Sequence, residues 1–272
     1  VKLIDFIKYA EPLLKEVSQF PKKEAEFLVF DAIQKKDYSY FLSEEEFSLC
    51  DHFLKRRLTG EPLAYIKGET SFYGCSLFVT KDVLIPRQET ELLVDLIVKE
   101  LVPGQPLEVF DVCTGSGCIG IALKKACPFL NVTLSDVCEK ALAVAKENAI
   151  RNGVEVLFLQ GDLLEPFKGK KCDLLVSNPP YIAEEEIFSL DPQVKEFEPL
   201  KALVAKKNGL EFYEAFAKGL PNILSKKAKV YFEIGYNQEK PLFSLFSDPY
   251  WRKKRCLFDL ANHPRFFSLE IE

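Results

Sequence analysis

The clearest chemistry in the 272-residue sequence lies in four consecutive residues, Asn178-Pro179-Pro180-Tyr181. They follow the apolar run Leu174-Leu175-Val176, which places them at the carboxyl end of a buried strand, where open α/β sheets bind ligands. Average residue frequencies give this string by chance in roughly one chain of this length per thousand. A plain Pro-Pro turn explains two of the residues and neither Asn178 nor Tyr181. A hydrogen-bonding role explains all four. The Asn178 side-chain carbonyl can accept one proton of a planar NH2 group and the Pro179 backbone carbonyl the other. The two prolines keep that geometry rigid, and Tyr181 can stack on the plane. An amide nitrogen is a poor nucleophile because its lone pair is delocalised. Two fixed acceptors would aim it at a methyl group and stabilise the positive charge growing on it. Asn178 and Pro179 are thus the expected catalytic pair, and Asn178, Pro179, Pro180 and Tyr181 the expected substrate contacts. No strong general base is required.

The second candidate is Phe110-Asp111-Val112-Cys113-Thr114-Gly115-Ser116-Gly117-Cys118-Ile119-Gly120, where a strand should turn into a helix. Glycines permit a tight turn and close ligand approach, and the first N–H groups of the helix face that ligand. Gly115, Gly117 and Gly120 also fit the G-x-G-x-x-G dinucleotide fingerprint, with Asp136 at about the distance of its ribose-binding carboxylate. On the loop alone, a nicotinamide enzyme fits nearly as well as a methyltransferase. Asp111 separates the two. Its carboxylate would repel a pyrophosphate but attract the ammonium and sulfonium of S-adenosylmethionine, by about 4 kcal/mol for charges ~4 Å apart in a partly shielded site. Asp136 would accept both ribose hydroxyls and Asp162 would meet the adenine amino group, although Gly161-Asp162 also suits an ordinary turn.

Positioning these groups requires a layered sheet. Strands are expected at 107–113, 132–136, 154–160, 173–177 and 230–234, with helices at 117–126 and 139–152. Such alternation builds a parallel sheet with helices on both faces. Segments 257–260 and 265–271 should close it as an antiparallel hairpin, and by analogy of fold this is an α/β, Rossmann-like methyltransferase domain. Ahead of it, apolar spacing in the first sixty residues predicts helices, with Pro21 opening the second and Ser43 and Glu46 forming a capping box for the third. Between Gly60 and Val79, strand character at Tyr65-Ile66, Phe72-Tyr73 and Leu77-Phe78-Val79 predicts a β-hairpin. The expected organisation is a helical substrate-docking domain over 1–59, a hairpin linker over 60–82 and a catalytic domain over 83–272.

Composition narrows the class. Hydrophobic residues make up 47% and charged residues 28%, an ordinary globular balance. No apolar run approaches the ~20 residues of a membrane span, and Lys2, Asp5, Lys8 and Glu11 break any signal-peptide pattern, so a cytoplasmic protein is expected. The eight cysteines include no C-x-x-C pair and the sequence has only 2 histidines, which favours buried free thiols over a metal site or disulfide framework. A net charge of −5 argues against nucleic acid as the main partner. The basic cluster Trp251-Arg252-Lys253-Lys254-Arg255 reads as a solvated loop. Met is absent altogether.

Further motifs extend the pattern over nearly the whole chain. They are Arg57-Leu58-Thr59-Gly60-Glu61-Pro62-Leu63-Ala64-Tyr65-Ile66-Lys67-Gly68, Leu84-Ile85-Pro86-Arg87-Gln88-Glu89-Thr90-Glu91, Phe197-Glu198-Pro199, Asn208-Gly209-Leu210 and Glu233-Ile234-Gly235. With the glycine loop and the tetrapeptide, they resemble, in order, the HemK/PrmC-type protein-glutamine N5-methyltransferases that modify peptide chain release factors. That resemblance implies S-adenosyl-L-methionine as donor, S-adenosyl-L-homocysteine as product, and the glutamine of the Gly-Gly-Gln loop in class 1 release factors as acceptor. It also implies donor contacts from Cys113, Thr114, Gly115, Ser116, Gly117, Asp136 and Asn178, and an N-terminal domain that grips the factor. A monomer is expected, with no membrane and no obligatory nucleic acid. Cys113 stands where many members have Gly, so its side chain should turn away from the donor. Gln88 replaces a frequent Pro, and Lys206-Lys207-Asn208 a Gly-Gly-acid stretch. Two alternatives share motifs: a sister family acting on a ribosomal-protein glutamine, and nucleic-acid adenine-N6 methyltransferases. Glu233-Ile234-Gly235-Tyr236-Asn237-Gln238 and the stretch from Asp259 to Arg265 look more like the release-factor type.

Overall fold

Ser43 and Glu46 exchange the expected reciprocal hydrogen bonds, Glu46 N–H to Ser43 Oγ at 3.1 Å and Ser43 N–H to Glu46 Oε2 at 2.9 Å. Helix α3 (Glu44–Leu58) starts from that box. It follows α1 (Leu3–Leu13) and α2 (Pro21–Ile33), the latter opened by proline as its fixed φ favours. Their apolar faces close over Leu3, Phe6, Leu28, Val29, Cys50 and Leu54. Burial of side chains this size contributes roughly 1.5–3 kcal/mol each. Arg57 is buried at the end of α3 and bonds Glu24 through Nε at 2.7 Å, so its charge is matched. Tyr65-Ile66 departs from expectation: both lie in a one-turn helix, α4 (Leu63–Lys67), with their side chains buried. Pro62 before it and Gly68 after it, at φ +74°, bracket that turn, and two strand-favouring side chains do not outweigh such punctuation.

The computed structural model describes residues 1–271 and falls into two units, Val1–Glu69 with Asp191–Phe197, and Thr70–Leu190 with the residues from Glu198 onward. A two-stranded hairpin, β1 (Glu69–Phe72) and β2 (Cys75–Phe78), buries Phe72, Cys75 and Leu77 in the core of the larger unit.

That larger unit holds α5 (Gln88–Glu100), β3 (Glu108–Val112), α6 (Cys118–Ala126), β4 (Asn131–Asp136), α7 (Glu139–Arg151), β5 (Leu157–Gln160) and β6 (Cys172–Ser177). After β6 come β7 (Ile182–Ala183), α8 (Pro192–Phe197, grouped with the smaller unit), β8 (Val204–Ala205), the single turn α9 (Lys206–Gly209) and α10 (Glu211–Gly219). The chain closes with β9 (Leu224–Glu233), α11 (Glu239–Leu245), β10 (Trp251–Phe258) and β11 (Pro264–Ile271). Among the described residues, seven strands form one sheet in the order β10-β11-β9-β6-β3-β4-β5. β3, β4, β5, β6 and β9 run parallel, and β11 and β10 add the antiparallel hairpin. The basic cluster at 251–255 is therefore an edge strand rather than a loop. Trp251 is buried against Phe246 while the flanking charges face outward, as edge strands require.

Alternation along β3 sends Val109 into the core beneath α5 and α6, and Phe110 into the opposite core with Tyr213, Phe216 and Phe246. Because successive side chains point to opposite faces, Asp111 shares the face of Val109 and meets α6. The chain leaves β3 for β4 and β5 on one side, then returns to β6 on the other. The carboxyl ends of β3 and β6 thus flank the topological switch point, where such sheets open a crevice.

Candidate active site

A cavity of about 290 Å³ opens there, at the small end of ligand pockets. Its wall includes Cys113, Thr114, Gly115 and Ser116 from the glycine loop, Asp136 from the end of β4, Asp162 after β5, and Asn178 and Pro180 after β6. Two motifs separated by some sixty residues of sequence are thus brought to one space. Asp111, Gly117, Pro179 and Tyr181 are placed near it but outside its lining.

The glycine loop is held by short-range bonds. Gly115 takes φ +54° and Gly117 φ +82°, a region open to glycine at little cost. Among the described residues, a Cβ at Gly115 would meet nothing within 4 Å, so free space lies above the loop. A Cβ at Gly117 would stand 2.7 Å from Ile121 Cδ1. Cys113 adopts φ +59°, which explains why glycine suits this position. Expected to turn away from the cavity, it is one of the lining residues, and its thiol, driven up in pKa by burial, bonds Ser177. Asp136 Oδ2 accepts from Gly115 N–H and Oδ1 from Cys138 N–H, each at 2.9 Å. Burial raises its carboxyl pKa above the ordinary value, against the pull of these bonds.

Asp111 has a part within the loop that its sequence position does not reveal. Its Oδ2 accepts from the Thr114 hydroxyl at 2.6 Å and from Gly120 N–H at 2.9 Å, which ties the loop to α6. Among the described residues its Oδ1 has no partner, and burial pushes the carboxyl pKa up to about 7. Strand alternation is the reason: the side chain faces α6 instead of standing beyond the strand end.

The tetrapeptide is held from afar. Tyr181 points its hydroxyl at Glu233 Oε1, 3.4 Å away, and Glu233 Oε2 accepts from the Thr90 hydroxyl at 2.6 Å. Burial raises the Glu233 carboxyl pKa, while Thr90 and Arg265 oppose it. Arg87, in the cavity wall, is fixed by the buried Glu198 at 2.6 Å, and Glu198 also accepts from Ile85 N–H. Asn148, fully buried in α7, donates to Ser116 O at 2.8 Å and to Phe78 O at 3.0 Å, joining hairpin to glycine loop. Residue-by-residue reading gave no part to Asn148, Glu198 or Glu233. The last two stand in motifs marked only by family resemblance, and Asn148 looks like one more surface residue of an amphipathic helix.

The chain is similar to known proteins along most of its length. The PrmC N-terminal domain model matches residues 5–68, and the methyltransferase small domain model matches residues 87–191. A release factor glutamine methyltransferase of Chlamydia trachomatis serovar D is 43% identical over 266 residues, covering 96% of this chain and 91% of that protein. The chain belongs to the release factor glutamine methyltransferase family. A second relative of that name, from Staphylococcus aureus, is 35% identical over 281 residues, covering 97% and 99% of the two chains. The family's catalytic fold extends to more distant proteins. A methyltransferase from Pyrococcus furiosus superposes with a TM-score of 0.56 over 81% of this chain and 98% of its own, at 14% identity.

Proposed function

We propose that this enzyme transfers a methyl group from S-adenosylmethionine to the side-chain N5 of the glutamine in the Gly-Gly-Gln loop of class 1 release factors. Family membership supports the acceptor. The observation that carries the site is the meeting of Asn178 with the glycine loop and Asp136 in one cavity wall.

The residues present fit the donor. Asp136 keeps lone pairs for a ribose diol after its two backbone bonds, and the open face above Gly115 leaves room for a close ligand. Asp162 is the proposed adenine contact; Cys113, Thr114, Ser116 and Gly117 shape the turn beneath the donor. Asp111 acts through the loop it anchors. Bound S-adenosylmethionine supplies a methyl group made electrophilic by its sulfonium. The protein supplies orientation. Asn178 Oδ1 accepts one N–H of the glutamine amide and the Pro179 carbonyl the other. The nitrogen lone pair is thereby turned toward the methyl, and both dipoles stabilise the charge that nitrogen gains until it sheds one proton to water, leaving the N-methyl amide. Tyr181 stacks on the amide plane, with its hydroxyl held at Glu233. The helical N-terminal unit is the proposed grip on the factor, and the enzyme works as a cytoplasmic monomer.

Incubating the purified protein with methyl-labelled donor and a full-length release factor tests the reading. Label should enter the factor and disappear when its Gly-Gly-Gln glutamine is changed to Ala. Labelling that survives this change overturns the acceptor assignment.

A further inference from the structure

The tetrapeptide has an unusual structural problem. Proline has no N–H, so Pro179 and Pro180 cannot donate to any neighbouring strand. The carbonyl needed for the substrate must also stay free. Rigidity therefore has to come from the two ends. At the upstream end, Ser177 sits in the β6 ladder opposite Val112 and Phe232, and its hydroxyl donates to Val112 O at 2.6 Å. At the downstream end, Ile182 N–H donates to Leu203 O at 2.9 Å. Besides the Tyr181 hydroxyl at Glu233, a further bond reaches the backbone of the tetrapeptide, from the side chain of Gln238.

Gln238 lies 57 residues further on, at the N-cap of α11, and is only 6% exposed. Its Nε2 donates to Tyr181 O at 2.9 Å and to Gly209 O at 3.1 Å, while its Oε1 accepts from Gly235 N–H at 2.9 Å. The primary amide matches this set: two donors for two carbonyls, one acceptor for one N–H. Neither Glu, Met nor Leu can reproduce it. The neighbours are shaped to admit it. Gly209 sits at φ +81°, and a Cβ there would stand 2.1 Å from Tyr181 O and 2.5 Å from Gln238 Nε2. A Cβ at Gly235 would stand 3.3 Å from the Gln238 amide. Gln238 itself is outside the cavity lining.

We propose that Gln238 is a positioning residue that sets the downstream end of Asn178-Pro179-Pro180-Tyr181, so that it governs the rate of methyl transfer and not the affinity for the donor. The inference rests on the tetrapeptide being the acceptor site. Small displacements there are expensive, since an error of about 1 Å in aligning a nucleophile can slow a reaction about 100-fold.

The test compares the parent with Gln238→Glu and Gln238→Met. Both keep the length of the side chain, and Glu sets a carboxylate against two carbonyls. The expected result is a kcat lower by about 10- to 100-fold, with the donor Kd within about twofold of the parent. Hydrogen–deuterium exchange should rise in the peptide covering 178–183 and stay unchanged in the glycine loop. Gly209→Ala should act in the same way, and combining it with Gln238→Met should add little, because both break one clamp. Variants that bind donor and keep the parent kcat overturn the proposal. So does a fall in donor affinity as large as the fall in kcat, which would mark a general structural defect. The exchange measurement needs no acceptor. If the parent fails to methylate a release factor, the acceptor reading fails on its own. Unchanged exchange across 178–183 then still overturns the clamp, and raised exchange supports it.

Discussion

The glycine loop and the tetrapeptide end neighbouring parallel strands and face one cavity, yet they are built on opposite plans. The glycine loop is fixed largely by its own surroundings. Asp111 and Thr114 bond within three residues, Asp111 reaches Gly120 nine residues on, and Asp136 holds Gly115 across twenty-one. The donors are the Gly115 and Gly120 N–H groups and the Thr114 hydroxyl, with the Asn148 amide reaching Ser116 O from α7. The tetrapeptide has lost two backbone N–H donors to proline, and its fixings come from Glu233 and Gln238, 52 and 57 residues away. A loop that must cradle a donor can be a local turn. In the proposed roles, one that aims two oxygens at a foreign amide is clamped from outside, which leaves its carbonyl available.

This contrast predicts a division of effects: changes at the tetrapeptide should act on transfer, and changes at the glycine loop on donor binding. The largest effect is expected for Asn178→Ala, which should slow transfer by about 100-fold or more, as for loss of one preorganised group. Donor binding measured by calorimetry should change far less. A proportional loss of donor affinity would blur the division. Gly120→Ala should show the reverse pattern. A Cβ there would lie 2.4 Å from Leu134 Cδ2 and 2.9 Å from Asp111 Oδ2 inside the packed α6. Donor affinity should fall about tenfold and stability by roughly 1–3 kcal/mol, with kcat at saturating donor little changed.

Asp111 offers a sharper test, through pH. Its folded pKa of about 7 lies above the ordinary 3.8, so the folded protein binds the proton more tightly than the unfolded chain does. Stability from this group is complete below the ordinary value, declines as pH climbs toward 7, and is lost above it. Donor-free protein should therefore lose on the order of 2 kcal/mol between about pH 5 and 7 from this group, and Asp111→Asn should flatten the curve. Denaturant melts across that range provide the check, and an unchanged slope would remove Asp111 as its source. The smallest effect is expected for Glu198→Gln. It weakens the 2.6 Å hold on a partly exposed Arg87 and should reduce donor affinity by only about threefold, roughly the scale of a single charge-assisted bond near solvent.

Legibility in the sequence followed the same line. Strand alternation, the Ser43 box and the glycine turn depend on neighbours a few residues apart, and all could be read directly. The tetrapeptide was visible because its string is rare, not because its supports were. Asn148, Glu198, Glu233 and Gln238 are ordinary polar residues until the fold supplies their partners. Asp111 shows what a local reading leaves out. Its type and position suggest a ligand contact, but the two-residue period of β3 turns it to α6. At Tyr65-Ile66 a pair of strand-favouring side chains was overruled by the Pro62 and Gly68 that bracket them.

The structure of the protein with S-adenosylhomocysteine and a Gly-Gly-Gln peptide bears most directly on the tetrapeptide. The glutamine nitrogen should lie within hydrogen-bonding distance of both Asn178 Oδ1 and the Pro179 carbonyl, on the line to the sulfur. A glutamine bound with its nitrogen turned from either oxygen, or screened from the sulfur by protein, would contradict the proposed transfer.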